Sequence, residues 1–259
     1  MKRNKAILAS ASILFTLLAG CSPASLPSAE LTVQDYEKIN RSPVLDEQAI
    51  KQFQYDLYEC GTDNEFCQGK VMYIGFSEWN ATQIADAIKI QDAKGFNRFV
   101  SSQPQYSALW RVIESQVDPL CRAEGIGHIV WSPIAQGVLS GKYLPGKKPP
   151  TGSRATDKKS GAAMISRWMN DDILREVAKL EPIARDCGLT MAQLAIAWVL
   201  QNKNVSSAII GASKAKQVKE NVKAAGVKLS DDVMRAIDNA IGAIAERDPA
   251  KDVSPNPRP

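Results

Sequence analysis

Residues 208–221 read AIIGASKAKQVKEN. The β-branched pair Ile209–Ile210 runs into Gly211-Ala212-Ser213, and a helical pattern opens directly behind it. A strand, a small-residue turn and a helix N-terminus in succession make a ready anion site, because backbone N–H groups converge there and the helix dipole favours negative charge. Ser213 is placed to serve as N-cap, and Gln217, Glu220 and Asn221 fall on neighbouring faces of the first two turns. An ordinary βα unit with a capped helix suits the same residues, so this stretch alone leaves both readings open.

Upstream, the same strand-to-helix grammar repeats from Gly69 onward. VMYIGF (71–76) reads as a buried strand, followed by SEWN and a helix over residues 81–95. FVSSQ (99–103) is a second strand, with a helix over 112–125. GHIVW (127–131) is a third, ending in Ser132-Pro133-Ile134-Ala135, and residues 208–210 form the fourth. Strands separated by helices imply parallel βαβ units and an α/β fold. Between the third and fourth strands lie a Gly/Pro/Lys loop, 141–161, and two helices. Ile173, Leu174, Val177, Leu180 and Ile183 stripe the first; Thr190 with Gln193 makes a capping box for the second, whose Leu194, Ala197, Trp198 and Leu200 face inward. A last helix follows Ser230 over residues 231–244, and residues 247–259 read as a disordered tail.

Composition narrows the function classes. The 32 Lys+Arg against 28 Asp+Glu are scattered, with no basic run interleaved with aromatics, which argues against a nucleic-acid partner. Five cysteines without a CxxC, and His128 as the one histidine, give no metal-ligand set. At 259 residues the chain holds one large α/β domain or two smaller ones.

The first 67 residues have another character. Lys2, Arg3 and Lys5 precede an apolar run, residues 6–18, too short to span a bilayer; residues 1–21 therefore read as a signal peptide. It ends in Leu18-Ala19-Gly20-Cys21, which resembles the bacterial lipobox. The resemblance implies lipidation of Cys21, a lipid membrane as partner and an envelope location, with Ser22 rather than Asp pointing to the outer membrane. The chain is cytoplasmic if this segment is not a true signal. Residues 22–67 comprise a Pro/Ser tether and a small helical segment closed by Gly61. Cys60 and Cys67 are candidates for a loop disulfide in an exported protein, and two free thiols in a reducing compartment.

From Gln68 to Ile244 the blocks QGKVMYIGFSEWN, FVSSQPQYS, PLCRAEGIGHIVWSPIAQGVLSGKY and AIIGASKAKQVKEN resemble the aldo-keto reductase family, in particular the branch related to potassium-channel β subunits. The resemblance covers the second half of that family's (β/α)8 TIM barrel, about four β/α units, assigned here to residues 68–246. It implies NADP(H) bound across the C-terminal ends of the strands. Ser77 and Gln103 resemble the positions that hydrogen-bond the nicotinamide carboxamide. Trp131, Ser132, Pro133, Ile134 and Ala135 resemble the segment packed along the cofactor, and Lys142 and Arg154 the cations near its phosphates. Gly211, Ser213, Gln217, Glu220 and Asn221 match the adenosine-phosphate end. Glu78 departs from the pattern; a carboxylate near the phosphates would oppose an anionic cofactor.

The family's catalytic Tyr, Lys, Asp and His or Asn belong to the barrel's first half, and residues 31–67 offer no counterpart. His128 lies inside a strand and reads as a core residue; Tyr106 reads as a packing residue. Four strands cannot close a barrel, so two sheet edges and an apolar inner face are expected to stay open. A homodimer could complete the barrel, and a small carbonyl substrate requires that completion. Two functions follow: an NADPH-dependent carbonyl oxidoreductase by resemblance, inactive alone but retaining dinucleotide binding, or a membrane-anchored lipoprotein acting as a non-enzymatic interaction module.

Overall fold

The computed structural model describes residues 73–159 and 161–252. The signal peptide, Cys21, the tether, the 22–67 helices and the Cys60–Cys67 pair lie outside the described residues.

Four parallel strands form one sheet in sequence order: β1 (Gly75–Phe76), β2 (Ser101–Ser102), β3 (Gly127–Trp131) and β4 (Val205–Ile209). β3 has the bounds read from sequence. β1 and β2 are shorter than the stretches 71–76 and 99–103 suggested, although ladder-like bonds continue past them: Val100 N–H donates to Ile74 O at 3.0 Å and Gln103 N–H to Phe76 O at 2.7 Å. β4 begins earlier than residue 208. Its Val205 pairs with His128, and a bulge between His128 and Ile129 re-sets the register so that Ile129 faces Ser207. The two serines of Val205-Ser206-Ser207 give no apolar run of their own, and pairing with β3 draws them into the sheet.

Helices cover one side of this sheet. α1 (Ala81–Lys94) starts at a capping box in which Asn80 and Gln83 satisfy each other's backbone N–H groups, and stops at Gly95, whose φ of 68° suits glycine. Its buried Ile84, Ala87, Ile88 and Gln91 follow helical spacing. The segment expected to be helical over 112–125 is instead a 3-10 turn, Val112–Glu114, followed by the short α2 (Val117–Ala123). After α3 (Gly161–Ile165) come α4 (Asp171–Ala178) and α5 (Leu180–Asp186), where sequence periodicity suggested one helix. Pro182 explains the break: it lacks an N–H and its ring collides with the carbonyl of Ala178, the last residue of α4. α6 (Met191–Gln201) opens at the predicted Thr190–Gln193 capping box and buries Leu194, Ala197 and Trp198 as expected. α7 (Ala215–Asn221) and α8 (Asp231–Ile241) complete the chain, the latter three residues shorter than predicted because a 3-10 turn, Gly242–Ile244, replaces its end.

Alternation along the strands separates two faces. Phe76, Ser102, His128 and Val130 are buried beneath the helices. The opposite face carries Gly75 on β1, Ser101 on β2, Gly127, Ile129 and Trp131 on β3, and Ser207 and Ile209 on β4; it is apolar as expected toward the β3–β4 C-terminal ends and small and polar elsewhere. Close approach explains the glycines: a Cβ on Gly75 would lie 2.2 Å from Ser101 Oγ and 2.6 Å from Ser101 O, and one on Gly127 would lie 2.7 Å from Ser206 Oγ.

Residues 247–252, the described part of the expected tail, carry local structure. Arg111 N–H donates to Glu246 O at 2.8 Å, Pro249–Lys251 forms a 3-10 turn, and Asp252 is buried. The turn and the buried Asp252 side chain hold residues 249–252 despite their polar composition.

Candidate functional site

The C-terminal ends of β1, β2 and β3 are knitted together by short polar contacts. Ser77 Oγ donates to Gln103 O at 2.6 Å, bringing the two predicted carboxamide residues into contact. Next to Ser77, Glu78 is 5 % exposed and holds a left-handed backbone, φ 57°. Its Oε1 accepts the Gln105 backbone N–H at 2.7 Å and the Trp131 indole N–H at 2.9 Å. One carboxylate thus ties three successive strand ends. Sequence reading set this carboxylate near the phosphates; the structure turns it to Gln105 and Trp131, at the Ser77–Gln103 end. Backbone bonds add to the lock, with Trp131 N–H donating to Pro104 O at 3.0 Å and Tyr106 N–H to Trp131 O at 3.2 Å.

The turn after β3 is strained. Ser132, Ala135 and Gln136 have φ of 56°, 44° and 57°, and Gly137 follows at 105°. With Glu78, these are the four non-glycine residues with positive φ among the described residues, and all four sit at strand ends. Such conformations cost about 1–3 kcal/mol each and gather where a binding or catalytic geometry requires them. Pro133 and Ala135 are buried, Ile134 is half-buried, and Gln136 Oε1 is buried without a hydrogen-bond partner. The predicted Lys142 folds back onto this turn: a Cβ on Gly137 would lie 2.8 Å from its Nζ, which also stands 5.1 Å over the Tyr143 ring.

Other predicted residues are placed differently. Arg154, exposed, reaches Met164 Sδ at 3.7 Å and packs against Gly161, so its partners belong to α3. Gly211, Ser213 and Gln217 are exposed, and Glu220 and Asn221 half-buried. Lys214, not Ser213, occupies the N-cap of α7. Gln217 reaches back instead, its Oε1 accepting from Ser213 N–H at 2.8 Å and Lys214 N–H at 3.0 Å. The donors expected to await an anion are already taken by the helix's own side chain. Glu220 pairs with Lys223, and its carbonyl accepts from Gln193 Nε2 at 2.8 Å.

Neither Tyr106 nor His128 is an acid at this site. Tyr106 is 4 % exposed, its hydroxyl donates to Glu114 at 2.9 Å, and burial with the Glu114 charge pushes the phenol above its usual range. His128 is fully buried with Nε2 3.1 Å from Asp118 Oδ1, as a core histidine should be. Cys121 is equally inert, its thiol pushed up to about 12 by burial. Among the described residues no cluster could hold a metal ion. A cleft lined by Lys147, Pro149, Ile165, Met169 and Asp171 contains none of the predicted residues.

Two groups escaped sequence reading. Gln105 enters through its backbone, which carries no signature. Asp252 is buried near the site, and desolvation together with the Glu78 charge pushes its carboxyl up to about 7.

Comparison with known proteins follows this geometry. The family model described as "Aldo/keto reductase family" matches residues 63–241. A "Probable voltage-gated potassium channel subunit beta" of Arabidopsis thaliana is 42% identical over 161 residues, covering 62% of this chain and 48% of the relative. A "Putative voltage-gated potassium channel subunit beta" of Schizosaccharomyces pombe is 40% identical over 177 residues, 67% of this chain and 51% of the relative. The chain spans about half the length of the curated relatives it matches.

Proposed function

Because the chain belongs to the aldo/keto reductase family, we propose that it binds NADP(H) across the C-terminal ends of its parallel strands. The observation that carries this reading is the gathering of left-handed, non-glycine backbone at Glu78, Ser132, Ala135 and Gln136. The residues fit such a ligand: Gln136 Oε1 is buried and unpartnered, and Lys142 supplies a cation to the same turn. Ser77 and Gln103 would hold the carboxamide, and Trp131 to Ala135 would line the nicotinamide. Lys142 and Arg154 would meet phosphates, and Gly211, Ser213, Gln217, Glu220 and Asn221 the adenosine end.

When bound, the dinucleotide supplies hydride to a carbonyl carbon. This chain's part is to bind, orient and exclude water; Tyr106 and His128 are committed to Glu114 and Asp118 and hold no proton for a substrate. Carbonyl reduction therefore calls for a proton donor from a complementary half barrel, from a second copy or another chain, and the half described here is inactive alone. Fluorescence titration of the full chain with NADPH tests the binding. Saturable quenching of tryptophan emission is the expected result, and its absence at millimolar NADPH overturns the reading.

A second reading rests on Leu18-Ala19-Gly20-Cys21. Here Cys21 carries lipid, the chain sits on the cell envelope, and it acts as a non-enzymatic interaction module. Incorporation of labelled palmitate, abolished by Cys21→Ala, supports it; a wild-type chain that takes up no label overturns it.

A further inference from the structure

Residues 141–170, which precede α4, hold seven cations against a single carboxylate, Asp157. That excess is larger than the +4 of the whole chain. Prolines and glycines space the cations apart, so they make no run in the sequence. The fold draws the segment back on itself. Gly146 N–H donates to Asp171 Oδ1 at 2.9 Å, Ala155 N–H to the Tyr143 hydroxyl at 3.4 Å, and Ala162 N–H to Asp157 O at 2.9 Å. Lys147, Ala155 and Ala162 consequently line one cleft.

Three of the seven cations are engaged. Lys142 lies against Gly137 and over Tyr143, Arg154 reaches Met164 Sδ, and Arg167 stands 4.5 Å over the Trp110 ring. The other four, Lys147, Lys148, Lys158 and Lys159, are exposed, and none meets a carboxylate among the described residues. Asp157 gives its oxygens to the Lys159 and Gly161 backbone N–H groups instead. In the same segment Leu144 and Met164 are 51 % and 48 % exposed, two apolar side chains left in water. Unpaired ammonium groups beside exposed apolar side chains suit a lipid headgroup layer. The ammonium groups meet phosphates without leaving water, and the apolar groups reach the acyl boundary.

We propose that the 141–170 segment docks on an anionic lipid surface, with Lys147, Lys148, Lys158 and Lys159 on the headgroup phosphates and Leu144 and Met164 entering the interface. A nucleic acid suits these lysines less well, because Tyr143 and Trp168, the aromatic residues of the segment, are buried and offer no base a stacking platform. Such docking requires neither Cys21 nor the dinucleotide, and Lys142 and Arg154 remain available to phosphates of the cofactor.

The test is vesicle flotation of the full chain carrying Cys21→Ala, so that no acyl chain can bring it to a bilayer. Vesicles of phosphatidylcholine alone are compared with an equal mixture of phosphatidylcholine and phosphatidylglycerol. The protein should float with the anionic vesicles, stay behind with the neutral ones, and be released by salt of about 1 M, where charges are screened beyond about 3 Å. Lys147→Gln, Lys148→Gln, Lys158→Gln and Lys159→Gln combined should cut partitioning by at least about tenfold. The same loss of charge at four other exposed lysines, Lys94→Gln, Lys203→Gln, Lys216→Gln and Lys228→Gln, should leave it within about threefold. Leu144→Ser with Met164→Ser should weaken binding about threefold and keep its salt dependence. Lys2, Arg3 and Lys5 are present in every variant, so their contact with lipid cannot separate the two lysine sets. Equal flotation with neutral vesicles overturns the proposal without recourse to any variant. It is equally overturned if the first lysine set binds as wild type does, or if the second loses as much. Capture of a single-stranded oligonucleotide under conditions where anionic vesicles take up no protein overturns it in favour of a nucleic-acid surface. In each of these cases the dinucleotide and lipidation readings stand untouched, since NADPH titration and palmitate labelling read them separately.

Discussion

The two ends of the proposed dinucleotide site are built differently. At the β1–β3 end, Ser77, Glu78, Gln103 and Trp131 interlock, Glu78 is buried, and the backbone is held in left-handed conformations. At the β4–α7 end, residues 211–219 are exposed, α7 buries none of its residues, and Gln217 caps its own turn. One end stands ready before any ligand arrives. The other must break the Gln217 contacts before its N–H groups can meet a phosphate. Preorganisation spares the first end an ordering cost that the second must meet on binding.

Several changes would break or sharpen this contrast. The largest effect is expected from Trp198→Ala: the ring is 4 % exposed, lies 5.2 Å from Tyr106 and stands 4.6 Å from the Arg111 guanidinium, behind the preorganised end. Denaturant unfolding should show a loss of about 3–5 kcal/mol. Gly75→Ala drives a Cβ into the Ser101 backbone oxygen and should cost about 1–3 kcal/mol in the same assay, parting β1 from β2 and with them Ser77 from Gln103.

A pH effect comes next. The Asp252 carboxyl, faced by Glu78 and the Cys121 thiol, is raised from 3.8 to about 7. Between those values the folded chain binds a proton that the unfolded chain has released. Stability should therefore fall as pH rises through the window, by at most about 1.4 kcal/mol per pH unit, and level off above it. Asp252→Asn should flatten that slope in thermal melts at several pH values. The smallest effect belongs to Gln217→Ala, which should alter stability by less than about 0.5 kcal/mol because its surroundings are exposed. Because Gln217 is proposed to meet the adenosine end, NADPH affinity should also fall, by less than in the Trp198 and Gly75 variants; a rise would mean that its side chain only competes for the Ser213 and Lys214 N–H groups.

The helical layer was legible because its signals are local. Asn80 with Gln83, Thr190 with Gln193, and the apolar spacing of Ile84, Ala87 and Ile88 each announce themselves within a few residues. The strand-to-helix alternation gave the parallel order directly, and β3 with its bounds. Where contacts are distant in sequence, reading failed. Nothing near Val205 signals that β3 will recruit it, and nothing in GFSEWN says that Glu78 will reach a tryptophan 53 positions away. Pro182 lies within a continuous apolar stripe, Ile173 to Ile183, that reads as one helix, and the stripe does not register the break. Gln217 reads as a ligand contact by resemblance, and its reach to two N–H groups just upstream, of the same local kind as the capping boxes, is a contact that resemblance does not announce.

The inner face has a consequence for what could close this sheet. TIM-barrel interiors are filled by layers of bulky branched side chains. Ile129, Trp131 and Ile209 supply such volume on β3 and β4, whereas Gly75 and Ser101 leave β1 and β2 almost bare. A dry interior beside β1 and β2 demands that the opposite half bring the volume these two positions withhold.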